Sequence, residues 1–406
     1  MKTIYFDHNS TTPIAPQVQK RIAEVLEHYG NPSNQHHIGK RVRDLVDNAR
    51  GEVAGLFNVP PSSVLFTSGG TEANNLAIKG AVNYLRFVRN LAPRSIHIIT
   101  SSIEHMSVIE PLRDMARLGC GVTFLPVDRY GRVKIKDFEN AITSRTRFAT
   151  IMLANNEIGT MQPAASLAKA ARKHGVLFHT DAVQAAGKMD IDFGALGVDM
   201  FTISGHKIGA PKGIGALHVK DGVHILAQHS GGHQERRIRA GTENTLGIIA
   251  LGEACRILTR KKLDERIGKV RRLRDALRDG MQKIPDVKIH GHPEKAIPNT
   301  VNATFRGIEA SSLLMHLDFL GVCASGGSAC REGSDEQSHV LRAIGLSVEE
   351  ANATVRFSLG YSNTEQEVRY LLRHLPGIVD KLRTMSPSYR TAKKKRTGGA
   401  VRRSKK

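Results

Sequence analysis

Phe201-Thr202-Ile203-Ser204-Gly205-His206-Lys207 sets a lysine just past a short apolar, β-branched run, in a turn of small residues. A lysine so placed can be partly desolvated, which favours the neutral amine that Schiff-base chemistry needs. Outward from this stretch, similar runs recur at residues 64–67, 96–100, 122–127, 148–153, 176–180, 200–203 and 214–219. Most are apolar without alternation, as in strands covered by helices on both faces, and helical spacing fills 71–87 and 164–174 between them. A mostly parallel α/β sheet is therefore expected. From about residue 246 a long amphipathic stretch runs to about 283, and a strand candidate follows at 301–305, where a smaller α+β domain is placed. The reading assigns 13–255 to the large domain, 1–12 with 256–386 to the small one, and 387–406 to a basic, disordered tail.

The 406 residues, 40% of them hydrophobic, suffice for two compact domains with real cores. Cys120, Cys255, Cys323 and Cys330 are scattered and form no CxxC pair. They suggest neither a disulfide scaffold nor a zinc site, so no metal is expected and the thiols are read as reduced in a cytoplasm. The first residues carry no leader pattern, and no window approaches a membrane span. The formal charge is +21, and nine Lys or Arg with no acid fall within 387–406. That tail is either a solvated appendage or an electrostatic attraction to a polyanion such as tRNA or DNA, without sequence specificity.

Three further segments carry chemistry. In Val176-Leu177-Phe178-His179-Thr180-Asp181 an acid ends an apolar strand, and Gln184 follows. A pyridoxal ring needs such a carboxylate against its nitrogen, although an acid there can equally cap the next helix. Phe66-Thr67-Ser68-Gly69-Gly70-Thr71-Glu72-Ala73-Asn74 turns from strand to helix through glycines. Its exposed amides, the helix dipole and the Thr71 hydroxyl can hold a phosphate, with the spacing of neither a P-loop nor a dinucleotide fingerprint. Cys330, in Ser325-Gly326-Gly327-Ser328-Ala329-Cys330-Arg331-Glu332-Gly333-Ser334, sits among small and polar residues that suit an accessible reactive thiol, unlike Cys120 and Cys255. Each signal alone is common; together they match one reaction.

With these residues in view the chain resembles the cysteine desulfurases of the NifS/IscS type, in the class V aminotransferase group, from Tyr5 to about Leu382. The resemblance rests on Tyr5-Phe6-Asp7-His8-Asn9-Ser10-Thr11-Thr12-Pro13, Asn31-Pro32-Ser33, Glu104-His105, Asn155-Asn156-Glu157-Ile158-Gly159, Asp181 to Gln184, Ser204 to Lys207, Arg239-Ala240-Gly241-Thr242-Glu243-Asn244, the Cys330 segment and Arg356-Phe357-Ser358-Leu359-Gly360. It implies a fold type I pyridoxal-phosphate enzyme that converts L-cysteine to L-alanine and leaves the sulfur on Cys330 as a persulfide. Lys207 would carry the pyridoxal 5'-phosphate, Asp181 meet its ring nitrogen, Gln184 its ring oxygen, and His105 its face and the nearby proton transfers. Gly70, Thr71, Ser204 and His206 would hold the phosphate, joined by Thr242 from the partner subunit of a homodimer. Arg356 and Asn156 would bind the substrate carboxylate, with Asn156 also beside the cofactor. The Cys330 segment looks like the long, mobile variety, which implies delivery to acceptor proteins for iron-sulfur assembly or tRNA thiolation. One departure stands out: relatives read Gly-Gly-Gly-Gln-Glu-Arg-Gly where this chain has Gly231-Gly232-His233-Gln234-Glu235-Arg236-Arg237. The competing readings are an aminotransferase or selenocysteine lyase using the same Lys207 and Asp181, and a nucleic-acid-binding protein on a retired enzyme scaffold.

Overall fold

The computed structural model describes residues 3–326, 337–386 and 389. Seven strands, β1 (Val64–Thr67), β2 (His97–Ser101), β3 (Gly121–Leu125), β4 (Thr146–Thr150), β5 (Leu177–Asp181), β6 (Met200–Ser204) and β7 (Gly215–Val219), form one sheet in the order β1-β7-β6-β5-β4-β2-β3. The expected strands are all present, β1 with the ends read from the sequence and the others with shifted ends. β2 to β6 run parallel, and β7 is antiparallel to both neighbours. The loop from β6 to β7 is too short for a crossover helix, so the chain doubles back. Apolar runs without alternation follow from helices on both faces: Phe57, Phe66, Phe178 and Phe201 pack on one side, Leu65, Ile98, Phe148 and Met200 on the other.

A second core gathers Leu277, Phe305, Phe357 and Leu371 with Ile4 and Phe6 from the start of the chain. Its sheet contains β8 (Val287–His290), β9 (Thr300–Phe305), β10 (Ser325–Gly326) and β11 (Thr354–Ser358), antiparallel in the order β10-β11-β9-β8. The long amphipathic stretch proves to be two helices, Thr245–Arg256 and Arg260–Gln282. Ile257 and Leu258 at the break are both buried, so hydropathy continues across it; the Thr259 side chain, which caps the second helix by accepting from the Lys262 amide, restarts the backbone. Among the described residues no helix is long and apolar enough to cross a membrane. Of the tail expected at 387–406, only Tyr389 is described; its hydroxyl donates to Asp286 Oδ2 at 2.8 Å and its ring lies under Arg383.

Candidate active site

Asp181 and Ser204 end β5 and β6, and Gly70 opens the helix Gly70–Phe87 three residues past the end of β1. These are carboxyl ends of strands in a mostly parallel sheet, where open α/β folds place ligands. Lys207 closes the turn Gly205–Lys207 directly after β6, and its amine donates to the backbone carbonyls of Asn9 and Ser10, each at 2.6 Å. Arg356, buried in the middle of β11, reaches the same residue: its Nη2 donates to Ser10 Oγ and Asp7 Oδ1 at 2.8 Å, and Nη1 to the Asn156 carbonyl at 3.0 Å. Ser10 thus joins the lysine to a guanidinium brought from the second sheet. The Arg356 Nε is buried with no hydrogen bond among the described residues.

Asp181 Oδ1 accepts from the Val183 amide at 2.9 Å, the local bond that a purely capping acid would make. Its Oδ2 does more: it accepts from Asn74 Nδ2 at 2.7 Å. Asn74 Nδ2 also donates to Ser107 Oγ, which lies 2.8 Å from His105 Nδ1. Because Nδ1 accepts the Ser107 amide at 3.1 Å as the cap of helix Met106–Arg117, a neutral His105 ring carries its proton on Nε2. Asp181 and His105 are therefore linked through Asn74 and Ser107, to which the sequence reading assigned no role. Beneath them Glu104 is fully buried, accepting from Ser101 Oγ and the Met152 amide, and burial pushes its carboxyl up to about 8.

At the mouth of helix Gly70–Phe87 a Cβ on residue 70 would stand 2.9 Å from Val183 Cγ2 and 3.5 Å from Ser204 Cβ, so only glycine leaves the helix amides open here. Thr71 is exposed and Ser204 buried. His206 Nδ1 lies 3.1 Å from Thr11 Oγ1; burial, with Lys207, Lys212 and Lys188 nearby, lowers its ring to about 4, so it is neutral at physiological pH.

Gln184 Nε2 donates to the Asn9 carbonyl at 2.9 Å, and its Oε1 accepts from Lys188 at 2.5 Å. Asn156 joins the cluster through its backbone carbonyl, while Thr242 is exposed on the loop before helix Thr245–Arg256. In that loop Glu235, Arg236 and Arg237 take φ of 41°, 60° and 66°, a left-handed run in which the glycine of the resembling sequences would be at ease and Arg237 is not. Cys330 lies outside the described residues. Its flanks are described: Ser325 pairs opposite Arg356, Ser338 Oγ donates to Glu157 Oε2 at 2.5 Å, and His339 Nε2 meets the Glu104 carbonyl at 2.8 Å. Burial raises the thiols of Cys120, Cys255 and Cys323.

The residue set suits a phosphorylated pyridine aldehyde and an amino-acid carboxylate. It offers an amine, a buried carboxylate, a helix terminus kept open by glycine with a neutral histidine in the cluster, and a guanidinium with an uncommitted buried N–H. Comparison with known proteins gives the family. Residues 4–371 match the family model "Aminotransferase class-V". The chain is 42% identical over 387 residues to "Cysteine desulfurase IscS 1" of Archaeoglobus fulgidus, covering 95% of this chain and 99% of that one. A solved "NIFS-LIKE PROTEIN" superposes with a TM-score of 0.87 at 33% identity, over 94% of this chain and all of the other. The structure titled "SspA in complex with cysteine" does so at 0.77 and 33%, over 89% of this chain and all of the other.

Proposed function

From the premise that this chain belongs to the class-V aminotransferases, in their cysteine desulfurase branch, we propose that it uses pyridoxal 5'-phosphate to take sulfur from L-cysteine onto Cys330. The carrying observation is that Ser10 holds the Lys207 amine through its carbonyl and the Arg356 guanidinium through its hydroxyl. An amino acid whose carboxylate meets Arg356 then has its α-carbon beside that amine.

The bound cofactor supplies an electron sink for the substrate α-carbon. Lys207 is its covalent anchor and its Nζ takes the α-proton; Asp181, steadied by Asn74, meets the ring nitrogen; Gln184 meets the ring oxygen. Gly70, Thr71, Ser204 and the neutral His206 hold the phosphate, with Thr242 reaching the partner subunit's phosphate in a homodimer. Arg356 and Asn156 bind the substrate carboxylate. His105 covers the ring and exchanges a proton through Nε2. Cys330 stands four residues past Gly326, a span of at most about 14 Å, which keeps it within reach of the strand that carries Arg356. As thiolate it attacks the substrate sulfur. An S–S bond forms, the carbon–sulfur bond opens with its electrons left on the β-carbon, that carbon takes a proton, the Lys207 amine returns the α-proton, and L-alanine leaves. The persulfide then passes to an acceptor protein of iron-sulfur assembly or thiolation, in the cytoplasm.

Purified protein should show the visible absorption of lysine-bound cofactor. Lys207→Ala should lose that absorption. Cys330→Ser should keep it while alanine and, with a dithiol present, sulfide formation fall by at least about a hundredfold, the usual loss when a nucleophile is removed. Sulfide release by the serine variant at the native rate would remove Cys330 from the reaction.

A further inference from the structure

Lys188 lies four residues past Gln184, and none of the roles above uses it. It borders a cavity of about 300 Å³ that is also lined by Ile14, Ile208, Leu258, Pro298 and Lys207. Its amine turns away from solvent and donates to Asn9 Oδ1 at 2.9 Å and Gln184 Oε1 at 2.5 Å. Both acceptors belong to buried amides that could rotate by half a turn and exchange oxygen for nitrogen. A lysine nitrogen carries at least two hydrogens in either protonation state, one for each oxygen. Burial, with Lys207 and Arg356 as neighbouring cations, holds that amine well below the usual lysine range without removing those two donors.

We propose that Lys188 is a positioning residue that fixes the amides of Gln184 and Asn9 in one orientation and so places the Lys207 amine. With Oε1 held by Lys188, Gln184 must present Nε2 on its other side, where it donates to the Asn9 carbonyl. That carbonyl also receives the Lys207 amine. With Oδ1 held by Lys188 and by Asn299 Nδ2, Asn9 must direct Nδ2 to Thr300 Oγ1 at 2.8 Å and the Asn156 carbonyl at 3.1 Å, which sets its backbone against the second sheet. The Asn156 carbonyl and Ser10, the residue after Asn9, then face Arg356 in a single arrangement. The residue touches neither the expected cofactor nor the substrate; it acts through Gln184 and Asn9, and the inference rests on the functional reading above.

The test uses the full chain loaded with pyridoxal 5'-phosphate. If the wild type takes up no cofactor, the functional reading fails, and Lys188 with it. If the wild type does, Lys188→Met, which keeps the stem, should weaken cofactor affinity about tenfold or more, move the absorption maximum of the bound cofactor, and lower kcat far more than it changes KM. In a Gln184→Ala background the same substitution should lose at least half of its effect on affinity, because its route is then partly cut. Lys188→Ala opens the stem's volume to the cavity, and added ethylamine should restore affinity and spectrum in part, whereas ethanol of similar size should not. A lysine that merely fills space would give an unshifted spectrum, additive effects and no distinction between amine and alcohol; any of these overturns the proposal.

Discussion

Glu104 has a carboxyl with no surface exposure, and its environment holds it near 8 where an ordinary glutamate stands near 4.5. The folded state keeps a proton that the unfolded chain gives up. Stability is therefore fullest below the ordinary carboxyl range, declines as pH rises through it, and has lost the whole contribution above about 8, a change on the order of a few kcal/mol. His8, His206, His218 and His290, lowered to about 4, and His179, lowered to about 3, act oppositely: they resist charging and destabilise the fold as pH falls below about 6.5. Between pH 7 and 8.5 these five histidines are silent, and the Lys188 amine, held well below the usual lysine range, tilts wild type and variant alike, so Glu104→Gln should make the slope of denaturation midpoint against pH more positive than in the wild type. Parallel slopes for the two proteins would mean that Glu104 is ionised throughout. At the proposed phosphate site, Gly70→Ala forces a methyl against Val183 and should cost about 1–3 kcal/mol together with most cofactor retention, measured by denaturation and by absorbance after gel filtration. Single residues with an unusual neighbourhood, such as Lys207 after β6 and Asp181 ending β5, were legible because one segment shows both the residue and its setting. Asn74, Ser107 and Lys188 were not, because each also needs a partner tens to hundreds of positions away: Asn74 with Ser107 and Asp181, Lys188 with Asn9.

At the scale of elements, the strands could be read because burial on both faces removes polar alternation, a signal that β1, β2, β6 and β7 keep from end to end. β11 escaped notice although its Arg356-Phe357-Ser358 was quoted for chemistry: an arginine in a strand centre reads as surface until Asp7 and Ser10 are seen around it. Helix breaks were harder still, since the division at Ile257 and Leu258 is a matter of capping and not of hydropathy. The loop before Thr242 carries the clearest strain. Its Glu235 is held by Arg50 at 2.7 and 2.9 Å and by the Phe66 amide at 2.9 Å, a clamp that keeps three consecutive side-chain-bearing residues left-handed. Arg237 makes no hydrogen bond of its own side chain among the described residues, so Arg237→Gly removes steric strain and little else. Relief of roughly 1–2 kcal/mol, set against roughly 0.5–1 kcal/mol for the entropy glycine adds to the unfolded chain, should leave a gain of a few tenths to about 1 kcal/mol in denaturant unfolding. A loss of stability would show that the guanidinium does more than occupy its turn.

For the whole molecule, the site takes its residues from two sheets: Lys207 and Asp181 from the end of the large one, Arg356 from the small one, and Asp7 to Ser10 from the start of the chain between them. What that arrangement leaves unused is charge. A formal +21 far exceeds what binding one amino acid and one phosphate requires, and residues 390–406, after the Tyr389 that donates to Asp286, hold nine Lys or Arg and no acid. If those cations neutralise phosphates, each contact contributes roughly 0.9 to the slope of log affinity against log salt on duplex DNA. A chain ending at Tyr389 should then keep its desulfurase rate with free cysteine and its melting midpoint, while the slope measured by fluorescence anisotropy on a labelled duplex shrinks by several. Ending the chain at 386 instead would also remove the Tyr389 contact with Asp286 and Arg383 and mix stability into the result. A slope that is unchanged by the truncation at Tyr389 assigns any polyanion binding to the basic body of the enzyme and leaves the tail as a solvated appendage.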